Sequence, residues 1–313
     1  MLTGKDRLAY LQGLLTNDIA ALTPGTGCYA AFLTPQGRMI SDLRVVDLGD
    51  ATLLDLPAST AGDVRSRLER FIFSEDVHVE DVTNAFGEIG VYGPDAARVV
   101  ASILPGALDV EALDALRTYE ARRTQYGTTE LIVIRSDEPG IGGFDLVVAR
   151  DHVSPLRDGL LRAGAAEADE EAVERVRIES GRPRFGVDMD HDTIPLEAGI
   201  EERAISRTKG CYVGQEVIIR VIDRGHGRVA RRLVGLAIEG ATVPSPADVI
   251  VGGEREIGRV TSAVLSPALG RPIALGYVHR DFVQPGTPVQ IAHATGRLVA
   301  QVAALPFVKG ASA

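Results

Sequence analysis

The chain has 313 residues, 45% of them hydrophobic and 24% charged, which is the balance of a globular protein of two or three domains. Its net charge of −10 argues against a general nucleic-acid binder, because such affinity rests on neutralising phosphates with Lys and Arg. Aromatics make up 5%, Trp is absent and Gly is high at 34, so the core must be built from Leu, Val, Ile and Ala, and turns must be many.

Leu8, Leu11, Leu14 and Leu15 recur at helical spacing and predict a helix that ends in the turn Thr16-Asn17-Asp18. Cys28 to Leu33 reads as an apolar strand, closed by Thr34-Pro35-Gln36-Gly37 and resumed from Met39 to Val46, a hairpin. Leu53 to Leu56 gives a further strand. A helix follows, with Ser59 or Thr60 as its N-cap and Val64, Leu68, Phe71 and Ile72 on one face. Val77 and Val79 alternate with polar neighbours as in a half-buried strand. A β–α–β rhythm then runs through Ile89–Tyr92, a helix from Asp95 to Leu104, strands at Leu131–Arg135 and Phe144–Ala149, and a helix carrying Val153, Leu156, Leu160 and Leu161. Beyond Arg231 short strands alternate with Gly and Pro turns: Leu233–Ile238, Val249–Val251, Arg259–Val264, Ile273–Val278, Val289–Ile291 and Arg297–Val302. That is an all-β module, a small barrel or a sandwich, after an α+β region.

No uncharged apolar run is long enough to span a bilayer, and Met1 to Asp6 meets charge before any apolar core, so no export signal and a cytoplasmic location are expected. Two cysteines, Cys28 and Cys211, make neither a disulfide framework nor a four-thiolate metal or cluster site within one chain. Cys211 sits between Gly210 and Gly214 with Lys209 beside it. A cation there lowers a thiol pKa and makes the sulfur a nucleophile or metal ligand; the alternative is a small buried hydrophobe. Asp188, Asp190 and Asp192 lack the Gly and Glu of a calcium loop, since Thr193 and Gly199 occupy those places, so they read as a solvated acidic loop. The six histidines show no ligand spacing, and no metal site is expected. Gly25-Thr26-Gly27 and Gly140 to Gly143 match no phosphate loop and read as turns. Arg220, Arg224, Arg228, Arg231 and Arg232, with His226, form a basic cluster open to an anionic tail, an RNA phosphate or water.

Lys209-Gly210-Cys211-Tyr212-Val213-Gly214-Gln215-Glu216 resembles the signature of the YgfZ family, relatives of the glycine-cleavage T-protein. The run from Arg177 to Gly199, the opening Leu8 to Asp18, and Gly142-Gly143-Phe144-Asp145 resemble further segments of that family, so the likeness covers nearly the whole chain. It implies an α+β fold of three domains in a ring around a folate cavity. These would be a discontinuous ferredoxin-like domain (1–46 plus 150–230), an α+β insertion (47–149) and a C-terminal β-barrel (231–313). It implies tetrahydrofolate, or a one-carbon derivative, as cofactor, with Asp145 on the pterin, Arg177 near the folate and Glu197 in the cavity. The T-protein carries paired acids after a Gly-rich turn; here Ser41 replaces one and Asp42 remains. The broken pair and the added cysteine motif together favour an accessory factor. In that reading the protein supports iron–sulfur enzymes or assembly proteins, including those that modify tRNA, through Cys211. The rival is a folate-dependent aminomethyltransferase or demethylase with Asp42 as the working acid; a third reading is a folate-binding scaffold with Cys211 structural.

Overall fold

The computed structural model of the chain describes residues 1–104, 106–224 and 228–308. Fifteen strands among them pair into three antiparallel sheets. The first sheet is built from β1 (Leu2–Thr3), β2 (Thr26–Leu33), β3 (Met39–Asp47), β4 (Thr52–Asp55) and β5 (His78–Val79), in the order β2-β3-β4-β1-β5. The second contains β6 (Phe86–Tyr92), β7 (Ala121–Tyr126), β8 (Thr129–Ser136) and β9 (Gly143–Ala149), in the order β6-β9-β8-β7. The third closes on itself as a barrel of β10 (Arg231–Ile238), β11 (Val249–Gly252), β12 (Arg255–Ser266), β13 (Arg271–His279), β14 (Pro288–His293) and β15 (Gly296–Ala303). Closure leaves no free edge, and settles the choice between barrel and sandwich. The break between the first two sheets falls between residues 79 and 86, so the strands after residue 47 still belong to the first sheet up to β5.

The helices pack on these sheets: α1 (Arg7–Gln12), α2 (Ala58–Arg70), α3 (Ala96–Ile103), α4 (Val110–Asp114), α5 (Val153–Arg162), α6 (Glu170–Glu179), α7 (Pro195–Ala198), α8 (Glu201–Ala204) and α9 (Gln215–Ile219). Helix α2 lies over β3 and buries Val64 and Leu68. It starts behind Pro57 with no side-chain cap, so neither Ser59 nor Thr60 is the N-cap; Thr60 lies inside the helix, and its hydroxyl donates to the carbonyl of Pro57 at 2.9 Å. The helix also stops at Arg70, which leaves Phe71 41% exposed rather than on a helical face.

Helix α6 is capped by Asp169, whose carboxylate accepts from the amide of Ala172 at 2.7 Å. Its Ile178 packs with Leu233, Ile273, Leu275 and Tyr277 of the barrel. Burial of such side chains supplies roughly 25 cal/mol per Å² of apolar surface, and it fixes the barrel to the α+β part. The α6–barrel joint is reinforced by a buried ion pair. Arg177 donates to Asp188 at 2.6 Å, and the same carboxylate accepts from the hydroxyl of Ser262 on β12 at 2.7 Å. Asp188 is therefore not part of a solvated acidic loop, as its spacing suggested, because it is 3% exposed and saturated with donors. Asp190 and Asp192, in contrast, are exposed. No helix among the described residues is long and apolar enough to cross a membrane.

Candidate functional site

A cavity of about 1020 Å³ opens between the first two sheets and is closed by α5, α6 and α8; no barrel residue lines it. Its chemistry begins on β3. Side chains of a strand alternate between faces, so Asp42 and Arg44 share one face and Ser41 takes the other. Asp42 and Arg44 line the cavity. Ser41 is 0% exposed on the far side, where its hydroxyl shares a 2.8 Å hydrogen bond with Thr60 of α2. An acid at position 41 would thus point into the core and add nothing to the cavity. The broken acid pair, expected to count against catalysis, removes no cavity carboxylate.

The Oδ2 of Asp42 accepts from the hydroxyl of Tyr29 on β2 at 2.7 Å, while its Oδ1 is buried and has no partner among the described residues. Burial pushes the carboxyl above the ordinary range, and the charge of Glu138 pushes the same way; the Tyr29 hydrogen bond and Arg203 oppose it. The Arg203 guanidinium lies 4.6 Å from the centre of the Tyr29 ring. It also donates to Tyr119 at 2.8 Å and to Glu138 at 3.2 Å. The N-terminal turn holds this wall together. The side-chain amide of Asn17 donates to the carbonyls of Tyr29 at 2.8 Å and Arg203 at 3.0 Å, and Thr16 bridges Ala204 and Ala31.

Arg44 collects three carboxylates, those of Asp55, Glu88 and Asp145. Asp145 is 2% exposed and stands behind Arg44 and Tyr92, which engage one of its oxygens each. It does not itself line the cavity. Arg177 does line the cavity, but its guanidinium is spent on Glu174, Asp188, Ser262 and the carbonyl of Arg182. Glu197 lies outside the lining; it pairs with Arg231 at 3.3 Å and accepts from the amide of Ile194 at the start of its own helix.

Cys211 is exposed and stands apart from the cavity lining. Its neighbours build the loop that presents it. The ammonium of Lys209 donates to three carbonyls of the N-terminal turn, Gln12 at 2.6 Å, Leu15 at 2.6 Å and Asn17 at 2.9 Å, so this cation is committed to the backbone. Tyr212 is buried, and Gln215 accepts from its amide at 3.3 Å. Gly214 has φ +85°, and a Cβ there would stand 2.5 Å from the carbonyl of Thr34, so only glycine fits. Gly210 faces open space and Glu216 is exposed. Cys28, the other thiol, is pushed up to about 12 by burial, which makes it inert.

Two members of the basic cluster are engaged within the protein, while Arg220 and Arg228 are exposed. Arg231 pairs with Glu197 and stacks on Tyr277, and Arg232 pairs with Glu201 at 2.7 Å; His226 lies outside the described residues. Tyr29, Glu138 and Arg203 escaped sequence reasoning for a plain reason. Tyr29 sits in an apolar strand and looks like core, Glu138 stands in a Ser-Asp-Glu-Pro-Gly turn, and Arg203 follows two glutamates like any surface cation.

A cavity of this size with convergent polar groups and a buried acid lacking a partner among the described residues has the features of a small-molecule site. Residues 1–209 match the GCVT N-terminal domain, and residues 231–309 match the glycine cleavage T-protein C-terminal barrel domain. Among curated relatives, an aminomethyltransferase of Rubrobacter xylanophilus is 32% identical over 98% of this chain and 79% of its own length. One of Corynebacterium jeikeium is 30% identical over 97% and 84%. In fold, the chain resembles the glycine cleavage system aminomethyltransferase T from Bartonella henselae, with a TM-score of 0.86 and 24% identity over 98% of this chain and 83% of that one. The chain belongs to the glycine cleavage T-protein family.

Proposed function

We propose that the chain binds a reduced folate in the cavity and uses Asp42 in a one-carbon transfer of the aminomethyl type. The observation that carries this reading is the buried, unpartnered Oδ1 of Asp42 in a cavity of ligand size. A buried acceptor without a donor costs free energy, and a bound amine N–H would satisfy it. The relatives named aminomethyltransferases support the same reading. The residues fit a folate: Arg182, paired with Asp137, and the half-exposed Arg184, paired with Glu174, line the cavity where a glutamate tail would compete for them, and Asp42 offers an acceptor. Tetrahydrofolate, when bound, supplies the nitrogens that take up the one-carbon unit. Asp42, with its proton affinity raised by burial, is suited to take a proton from a donor ammonium and return it to the leaving amine. Asp145 and Glu197 are left out of this reading, because their carboxylates are engaged elsewhere.

The test is turnover of an aminomethyl donor with tetrahydrofolate by the wild type and by Asp42→Asn. The variant is expected to bind the folate but lose turnover by about 100-fold or more. Equal turnover by the two proteins would refute the role of Asp42.

A second reading rests on the exposure of Cys211 within a motif resembling that of the YgfZ family. In it the thiol supports iron–sulfur enzymes or assembly proteins, including tRNA-modifying ones, by a transient contact, since one thiolate cannot hold a cluster alone. Complementation of a bacterial strain lacking its own YgfZ separates the two. Rescue by Asp42→Asn but not Cys211→Ser would favour the thiol, and the reverse would favour the carboxylate.

A further inference from the structure

A second carboxylate reaches the Asp42 site from a distant part of the chain. Glu138 stands in the loop between β8 and β9 and lines the same cavity. Its Oε1 accepts from the hydroxyl of Tyr119 at 2.9 Å and from Arg203 at 3.2 Å. Arg203 lies over the Tyr29 ring, and the Tyr29 hydroxyl donates to Asp42 Oδ2. Contacts therefore run without a gap from Glu138 through one guanidinium and one phenol to Asp42. Each member sits on a different element: the β8–β9 loop, α8, β2 and β3.

We propose that Glu138 is a positioning residue for Asp42: it holds Arg203 on the Tyr29 ring, so that the phenol keeps one Asp42 oxygen and leaves Oδ1 open to the amine of a bound donor. The inference rests on the reading of Asp42 as the working acid. Around Asp42 the charged and titratable groups are Tyr29 from β2, Arg203 from α8, Glu138 from the β8–β9 loop, and Arg44 two residues along β3. Arg44 is already covered by Asp55, Glu88 and Asp145. Arg203 favours ionised Asp42 and Glu138 disfavours it, so the carboxylate on Arg203 decides how far that cation acts on Asp42. Asp137 also lies 3.9 Å from Arg203 and pairs with Arg182, so Asp42, Glu138 and Asp137 face two guanidinium groups and leave one excess negative charge when ionised, which suits a cationic amine rather than a neutral one.

Neutralising Glu138 removes a negative neighbour of Asp42, which lowers the proton affinity of Asp42. A glutamate that only braced its loop would leave that affinity where it is.

The experiment uses the full chain with aspartate carboxyl carbons labelled with ¹³C. The resonance missing from Asp42→Asn is assigned to Asp42 and followed against pH in the wild type, Glu138→Gln and Glu138→Asp. Glu138→Gln is expected to lower the Asp42 midpoint by about one unit, and Glu138→Asp, which keeps the charge, to hold most of it. An unchanged midpoint in Glu138→Gln overturns the proposal. Turnover with tetrahydrofolate and an aminomethyl donor is read on the same proteins, with kcat/KM expected to fall about tenfold in Glu138→Gln and its acid limb to move down with the midpoint. A shifted midpoint in Glu138→Gln, together with a wild type that does not turn over, would support the coupling and sink the transferase reading. Full turnover with an unmoved midpoint would do the opposite.

Discussion

Replacing Arg177 by Met leaves the Asp188 carboxylate buried without its cation. The Asp188 side chain is 0% exposed and accepts from Arg177 at 2.6 Å, from the Ser262 hydroxyl at 2.7 Å, from the Thr261 hydroxyl, and from the Arg184 amide at 3.1 Å. Removing one partner of a buried ion pair costs about 3–5 kcal/mol, and the three remaining donors hold the loss to the low end, about 3 kcal/mol. Glu174 adds little to the loss, because it keeps Arg184 at 2.9 Å and reaches solvent. At about 2–4 °C per kcal/mol for a chain of this size, the melting temperature should fall by about 6–12 °C. The chain has no Trp, so the assay is circular dichroism against temperature and urea, with limited proteolysis to detect a barrel that has come loose from α6. The double variant Arg177→Met/Asp188→Leu should recover most of the loss, since a packed apolar pair replaces a buried ionic one. A loss below about 1 kcal/mol would refute the clamp. If folate affinity vanished while stability held, Arg177 would belong to the ligand, as the family resemblance implied.

Two further outcomes follow from β3. Ser41→Asp should yield no gain in turnover and should destabilise the protein by several kcal/mol, because it buries a charge beside Thr60 on the face away from the cavity; any rise in turnover measured with tetrahydrofolate would contradict this placement. Asp42→Asn should raise the melting temperature at pH 7 while abolishing turnover. The folded carboxyl holds its proton more tightly than the unfolded one, so its contribution to stability is full below the unfolded pKa and is lost as pH rises through the folded value. The stabilisation by Asn should therefore shrink as the melts are repeated at falling pH, and a gap between the two proteins that widens toward acid would be the wrong sign.

The sequence was most readable where one face of an element is apolar and its ends carry turn residues. All six barrel strands were anticipated, as was the β2–β3 hairpin, because each pairs alternating apolar residues with Gly or Pro turns. Strand β7, Ala-Arg-Arg-Thr-Gln-Tyr, was missed because it is an edge strand with its middle residues exposed, so it carries no apolar period. Helix α6 was missed for a related reason: Glu-Glu-Ala-Val-Glu-Arg-Val-Arg-Ile-Glu hides its buried face behind an arginine that is buried only because Asp188 meets it. The site divided along the same line. Asp42 was legible only through the resemblance to the T-protein, whose paired acids follow a glycine-rich turn. Glu138 and Arg203 were not, since they become cavity residues only when segments far apart in sequence are brought together, and no local pattern encodes that.

Lys209 ties itself to carbonyls of the first turn across 192 to 197 residues of sequence, and Asn17 reaches Arg203 across 186. On the ribosome, at about 5–20 residues per second, Leu11, Leu14 and Leu15 must therefore wait about 10–40 s before the segment that secures their turn has been made. For that interval the amino-terminal helix is an apolar segment without its final anchor, and it is where a nascent-chain chaperone would find most to hold. The turn behind the cavity wall is thus secured only when the cysteine loop arrives, about two-thirds of the way along the chain, and the chain's opening is held by a segment made long after it.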